Sequence, residues 1–276
     1  MDIFLSIITF YLGASLGSFL SVIIYRHKKN KKGILFGRSS CPKCGKTLAA
    51  LDLIPVLSFV FTLGRCRNCK KRISPHYVLI ELLTGVIFAM LYFQLPFLSF
   101  GTRALTFSLN NTIFYIYGAI ICVLLIGIFF YDLLYKEIPD MFTYTGIVLA
   151  ILAGVANEIT HLQINFPTPS IKDMVYAVVF AFLIFEGQRI LSKGKWIGLG
   201  DSILGFMMAL VLGWQLFIAA VFIAYALGSI ISILMMSFGK AGLKTAIPFG
   251  PFLVTGALTA IFFGNFLIST YFNYAY

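Results

Sequence analysis

The chain has 276 residues, of which 60% are hydrophobic and only 11% charged, with 29 Phe and a net charge of +11. Soluble globular chains carry roughly 45–50% apolar and about 25% charged residues, so too few charges are present to clothe a water-facing surface. A soluble enzyme, a disordered chain and a disulfide-built secreted domain are all excluded, and an all-α polytopic membrane protein is indicated.

The first apolar run, Ile3 to Tyr25, reaches about 34 Å as a helix, enough for a hydrocarbon core of ~30 Å. Asp2 precedes it, and Arg26, Lys28, Lys29, Lys31 and Lys32 follow it. A cleaved signal peptide has the opposite charge order and a shorter core, so this run reads as a retained helix with its N-terminus outside. Gly13 and Gly17 form a GxxxG pair, a spacing that lets helices pack closely. Further spans are expected at 77–99, 112–131, 141–156, 173–192, 202–213, 215–237 and 246–270. The stretch 201–237 is too long for one crossing, and a turn is expected at Gly213-Trp214-Gln215. Eight spans result.

Basic residues in membrane proteins report topology before they report partners. Segments 26–76, 132–140, 189–201 and 238–245 hold 19 of the 21 Lys+Arg, and only Arg103 and Lys172 fall on the other side. The positive charge therefore marks the cytoplasmic face and speaks against a nucleic-acid partner. Both termini are expected outside. Three regions follow: a first transmembrane helix at 1–25, a cytoplasmic loop at 26–76 and a transmembrane domain at 77–276.

The loop contains Cys41-Pro-Lys-Cys44 and Cys66-Arg-Asn-Cys69. Two CxxC knuckles build a tetrahedral four-thiolate zinc site, and a reducing cytoplasm disfavours the disulfide alternative. Four thiolates leave no open position for a substrate, so the expected role is structural. Cys122 lies inside a span and reads as a core residue. Between the knuckles, Leu48 to Gly64 is apolar but broken by Asp52 and Pro55, which suits an interfacial or re-entrant segment rather than a span.

Ten acids are few enough to sort singly. Asp132 closes the third span, and Asp201 opens the sixth directly after Gly198-Leu-Gly200. Both fall on the cytoplasmic side. Ionisable residues at membrane depth are costly and mark function. Two carboxylates at one depth suggest an aspartic protease pair sharing a proton, with Gly198 and Gly200 admitting a substrate backbone. The competing reading makes both acids helix-end groups facing headgroup water, with Asp201 as an N-cap. Asp140, after Pro139, is a rival partner expected to be wetter. Glu81 and Glu186 are further acids in spans, suited to pairing with a cation or capping a polar cavity.

The sequence resembles the bacterial type IV prepilin peptidases nearly end to end. Gly17-Ser-Phe-Leu-Ser-Val-Ile-Ile-Tyr-Arg26, Ser40-Cys-Pro-Lys-Cys-Gly45, Asp52-Leu-Ile-Pro-Val-Leu-Ser58, Gly64-Arg-Cys-Arg-Asn-Cys69 and Glu81-Leu-Leu-Thr-Gly85 stand in family order. Asp132-Leu-Leu-Tyr-Lys-Glu-Ile-Pro-Asp140, Gly198-Leu-Gly-Asp201 and Ile247-Pro-Phe-Gly-Pro-Phe252 follow. The resemblance implies that Asp132 and Asp201 are catalytic and that the protein removes the basic leader of type IV prepilins and pseudopilins after a glycine, at the cytoplasmic face. It also implies N-methylation of the new terminus from S-adenosylmethionine, an activity tied to the cysteine loop. Gly198, Gly200, Lys136, Asp140 and Glu81 are the expected supporting residues. Ser21 replaces the family's usual Asn, and Ile203 stands where a Lys is common; Lys136 or Lys195 are the candidates to supply that charge. The rival function is a non-catalytic transporter or binding protein with a zinc-stabilised loop, whose helix-end charges bind substrate or ions.

The orientation has a direct check. A cysteine introduced at position 103 should react with an impermeant thiol reagent added outside, and one at position 30 should not. The reverse pattern would invert the topology.

Overall fold

The computed structural model describes residues 2–29, 39–100, 105–160, 166–239 and 247–275, together with 242 and 245. Positions 30 and 103, used above to fix the orientation, lie outside the described residues. The chain forms two compact units, Met1–Gly127 and Ile128–Tyr276. The division falls inside a helix.

In the first unit, α1 (Asp2–Lys28) packs along α3 (Pro75–Gln94). Lipid tails are as apolar as the helices, so this pairing draws on close van der Waals contact. The glycines supply it from both sides. A Cβ at Gly13 would stand 2.6 Å from the Phe88 ring and 2.7 Å from the Thr84 carbonyl oxygen, and one at Gly85 would stand 2.8 Å from the Phe10 ring. Pro75 opens α3 at its first turn, where a missing N–H costs nothing.

The second span ends at Gln94, short of the expected 99. Pro96 stops it, and β1 (Leu98–Phe100) then pairs antiparallel with β2 (Leu105–Phe107). The Tyr92 hydroxyl donates to the Leu98 carbonyl at 2.6 Å and ties this ribbon to α3. A three-residue strand is too short for its alternation to stand out in sequence. Next, α4 (Leu109–Tyr135) is longer at both ends than the expected 112–131. Asp132 therefore lies inside its last turn, and the chain leaves the helix at Lys136 with φ +55°.

The 48–64 stretch does not form a span. It holds a 3-10 turn at Ala50–Asp52 and the short α2 (Leu57–Phe61). Leu51, Val60, Phe61 and Leu63 are exposed there, an apolar surface that suits an interfacial position.

The second unit holds α5 (Asp140–Thr160), α6 (Ile171–Ala181), a π turn (Phe182–Glu186), α7 (Gly187–Leu191), α8 (Leu199–Ser237) and α9 (Gly250–Ala275). Helix α8 is central and packs against α5, α6 and α9. Its 39 residues are roughly twice what one crossing of the hydrocarbon core uses. Gly213 breaks it with φ +72°, at the turn expected from sequence. A side chain there would meet Pro169 at 2.9 Å, so both conformation and space call for glycine.

Among the described residues, six helices are long and apolar enough to span a membrane, and Gly250–Gly264 is a shorter apolar helix. Two helices meet at Gly213 within α8, as the sequence reading has them, and the remaining difference from the eight expected spans is α9, of which Gly250–Gly264 is the apolar part.

The glycine seam between α1 and α3 gives a stability test. Gly13→Leu forces atoms into Phe88 and the Thr84 carbonyl, and overpacking of this kind costs about 1–3 kcal/mol. The variant should melt below the parent protein in detergent, with Gly13→Ala intermediate. Unchanged melting of both would remove the seam as a packing element.

Candidate active site and metal centre

The two cysteine knuckles are near-copies of one turn. The Cys41 N–H donates to the Lys46 carbonyl at 2.9 Å and the Gly45 N–H to the Cys41 carbonyl at 2.9 Å. In the second knuckle, Cys66 N–H bonds Lys71 at 3.0 Å and Lys70 N–H bonds Cys66 at 2.9 Å. Isolated bridges, Ser40 with Thr47 and Arg65 with Arg72, close each turn. The fourth residue after the leading cysteine has positive φ in both, +72° at Gly45 and +56° at Lys70. The first knuckle has the residue this conformation favours, and the second tolerates a lysine.

These turns bring Cys41, Cys44, Cys66 and Cys69 together, with ligand atoms within 4.8 Å of one another. A tetrahedral zinc with Zn–S near 2.3 Å needs sulfurs about 3.8 Å apart, so the donor set fits zinc with a small inward adjustment. The thiols are already differentiated. The Lys46 backbone and the Asn68 amide pull Cys44 down to about 6, and the backbone N–H groups of Cys69 and Asn68 lower Cys66. Cys69, despite the Lys71 backbone, is pushed up to about 11 by desolvation and by its neighbouring thiols. Asn68 Nδ2 reaches Cys44 Sγ at 3.7 Å, and Lys46 Nζ donates to Asn68 Oδ1 at 3.2 Å. Each knuckle is thereby tied to the other before any metal arrives. Cys122 is fully buried in α4, as its span position predicts.

In the second unit, Asp132 sits in the last turn of α4 and is only 4% exposed. Its Oδ2 accepts the Gly250 backbone N–H at 2.9 Å. Gly250 is the first residue of α9, where N–H groups have no partner within the helix and the helix dipole is positive. A side chain at Gly250 would stand 2.6 Å from the same oxygen. The sequence singled out the Ile247–Phe252 string without assigning it a contact; a glycine flanked by prolines at a helix start was the available signal.

Asp201 lies in the first turn of α8. Gly198, and not Asp201, is the N-cap, and its N–H donates back to Asp201 Oδ2 at 3.3 Å. The carboxylate is within electrostatic reach of Asp132. Gly200 faces the loop that follows α4, where a Cβ would stand 3.1 Å from Ile138 Cβ. The Gly-x-Gly-Asp turn and the end of α4 therefore meet closely.

Tyr225 on α8 also senses the Asp201 charge, and its hydroxyl donates to Gln188 Oε1 at 3.2 Å. Glu186 is held by Arg189 and by Ser202, the residue after Asp201. Sequence reading did not anticipate Tyr225, Gln188 or Ser202. A cleft of about 430 Å³ opens beside these groups, lined by Tyr225, Gly228, Ser232, Ile233, Phe249 and Phe252.

The other expected supporting residues fall elsewhere. Lys136 ends α4 through its own N–H, which bonds the Asp132 carbonyl at 2.8 Å. Asp140 opens α5 and is exposed, the wetter position anticipated for it. Glu81 sits in the first unit, where its Oε2 accepts the Val56 N–H at 2.8 Å.

Comparison with known proteins follows the same division. Residues 11–95 match the bacterial peptidase A24 N-terminal domain, and residues 119–233 match the type IV leader peptidase family. A prepilin leader peptidase/N-methyltransferase of Myxococcus xanthus is 30% identical over 246 residues, spanning 87% of this chain and 66% of that protein. One from Pseudomonas aeruginosa is 23% identical over 97% of this chain and 93% of its own length. The type 4 prepilin-like proteins leader peptide-processing enzyme of Escherichia coli is 27% identical over 89% of each. No solved structure matches the chain.

The metal centre is tested by removing one ligand. Cys41→Ser or Cys66→Ser should lower zinc content from one per chain and loosen the knuckles, read by metal analysis and limited proteolysis. Metal-free native protein with a Cys41–Cys44 disulfide would overturn the assignment.

Proposed function

Because the chain belongs to the type IV leader peptidase family, we propose that it is a membrane aspartic endopeptidase that cleaves type IV prepilins and pseudopilins. In this reading it removes the basic leader after a glycine, at the cytoplasmic face, and then methylates the new N-terminus from S-adenosylmethionine. One observation carries the peptidase half: Asp132 and Asp201, two carboxylates of the second unit, stand where the end of α4 meets the first turn of α8, close enough for the charge of one to act on the other.

Peptide hydrolysis by such a pair needs one ionised and one protonated carboxyl, since two close like charges do not both ionise. The ionised carboxylate takes a proton from water, and the oxygen so activated attacks the scissile carbonyl. The protonated partner donates to the carbonyl oxygen as it becomes tetrahedral. Collapse then expels the amine, which takes up a proton as it leaves. The Gly250 and Gly198 N–H groups each hold one carboxylate oxygen, and that fixes the direction in which the other oxygen faces.

The cleft suits a helical, apolar substrate segment. Its lining combines small residues, Gly228 and Ser232, with aliphatic and aromatic ones, Ile233, Tyr225, Phe249 and Phe252. A leader with basic residues approaches a chain that is itself basic, so anionic headgroups serve as counter-charge, at about 1 kcal/mol per Lys or Arg near the surface.

The dyad is tested by isosteric substitution. Asp132→Asn and Asp201→Asn should each abolish cleavage of a purified prepilin while the protein inserts and melts normally. The double variant should be scarcely worse than either single, as groups acting as one unit are non-additive. The parent enzyme should show a bell-shaped pH–rate profile. Substantial cleavage by either single variant would reject the dyad and favour a binding or transport protein.

A further inference from the structure

The stretch that joins the two cysteine knuckles is built inside out. Its polar groups turn inward: Asp52, Ser58 and Thr62 line a cavity of about 610 Å³ that the linker shares with α1 and α3. Its large apolar side chains turn outward. Leu51, Leu57, Val60, Phe61 and Leu63 are exposed, Phe61 at 78% and Leu63 at 84%. A segment that faces water has the opposite arrangement. The apolar tip is also fixed in place. The Leu63 N–H bonds the Val60 carbonyl at 3.1 Å and the Gly64 N–H bonds the Phe59 carbonyl at 2.9 Å. The Phe59 ring fills the space beside Gly64, 2.8 Å from where a Cβ would stand. Leu63 is thereby presented outward from a left-handed turn with φ +50°.

Two anchors set the depth of this segment. The Val56 N–H donates to Glu81 Oε2 at 2.8 Å, and the Ser18 side chain bonds the same carboxylate. From Pro75 to Glu81 is about 9 Å along α3, and from Ser18 to Tyr25 is about 10 Å along α1. A helical side chain leans toward the start of its helix, which gives back part of the first distance. The Val56 turn still lies on the membrane side of both helix ends, in the band of roughly 5–10 Å that interfacial segments occupy. Tyr25, with Lys29 Nζ 4.8 Å from its ring centre, is an aromatic of the kind that sits at headgroup level.

The charge beside the apolar tip is one-sided. Residues 39–76 hold seven Lys+Arg and one acid, Asp52, which Arg67 pairs at 2.8 Å. Arg65, Lys70, Lys71 and Arg72 directly follow Leu63 in the chain and are exposed. An apolar tip next to a basic turn matches a leaflet whose acyl chains lie beneath anionic headgroups.

We propose that residues 51–63 are embedded in the membrane surface at which α1 ends and α3 begins, and that the second knuckle binds the anionic phospholipids over them. Phe61 and Leu63 enter the acyl region, and Arg65, Lys71 and Arg72 meet the lipid phosphates. Lipid then covers the apolar side of the linker, which the protein leaves open, and the second knuckle is held against the membrane. This surface depends on neither the peptidase nor the methyltransferase reading.

The test uses the full chain in nanodiscs, with Trp196→Phe and Trp214→Phe and one new Trp as reporter. Phe61→Trp and Leu63→Trp should each be quenched by lipid brominated on its acyl chains and little by aqueous acrylamide. In an equal mixture, bromine on phosphatidylglycerol should quench the reporter at 61 about twofold more than bromine on phosphatidylcholine. Arg65→Gln, Lys71→Gln and Arg72→Gln together should bring that ratio close to one while melting is unchanged. If the triple variant fails to fold, Arg72→Gln alone should lower the ratio part of the way. Photo-crosslinking from p-benzoylphenylalanine at position 61 should yield phospholipid adducts. Acrylamide quenching without bromine quenching at both positions would overturn the proposal. So would equal quenching by the two lipids, a ratio unmoved in a folded basic variant, or crosslinks to a second copy or to another segment of the chain in place of lipid.

Discussion

A chain surrounded by lipid has no water to complete its hydrogen bonds, so each backbone polar group in the hydrocarbon region must find a partner within the protein. Long helices meet that demand along most of this chain, and the constraint then falls on the charged side chains. Every acid near a helix end has to be held by something. Asp132 is held by the Gly250 N–H, Asp201 by the Gly198 N–H, Glu186 by Arg189 and Ser202, and Glu81 by Val56 and Ser18. In three of the four the partner includes a backbone N–H released where a helix starts or a turn is strained.

That pattern explains where irregular backbone occurs. A broken helix releases donors, and donors permit a carboxylate. The first turns of α8 and α9 hold Asp201 and Asp132, and the positive-φ turn at Val56 holds Glu81. A π turn ends at Glu186, one of the rare distortions that are common at functional sites. Glycines mark the same places for a steric reason. At Gly250 the carboxylate leaves no room for a side chain, and at Gly213 the conformation itself excludes most residues.

The cysteine module shows a different economy. Outside the helices, a short stretch of chain lacks the apolar area for a core of its own. Paired turns and an Asp52–Arg67 ion pair hold it together, and four sulfurs converge where a metal could bind. The same ion pair joins the second knuckle to the turn that carries Asp52.

Much of this was legible in the linear chain, because the signals are local. Composition gave the membrane class, CxxC spacing gave the four-sulfur cluster, and Gly-x-Gly-Asp beside a long apolar run marked Asp201. A break in the run 201–237 followed from its length, and the Gly213-Trp214-Gln215 triplet marked its place. Tertiary structure decided what depends on partners far apart in sequence. It put Gly250 on Asp132 across 118 positions and Val56 on Glu81 across 25. It also gave the cap of α8 to Gly198 instead of Asp201, and ended α3 in a β ribbon where a longer span was expected. The physical reason is common to these cases. Periodicity and composition report how a segment meets its surroundings, whereas the partner of a single hydrogen-bonding group is fixed only when separate helices have packed.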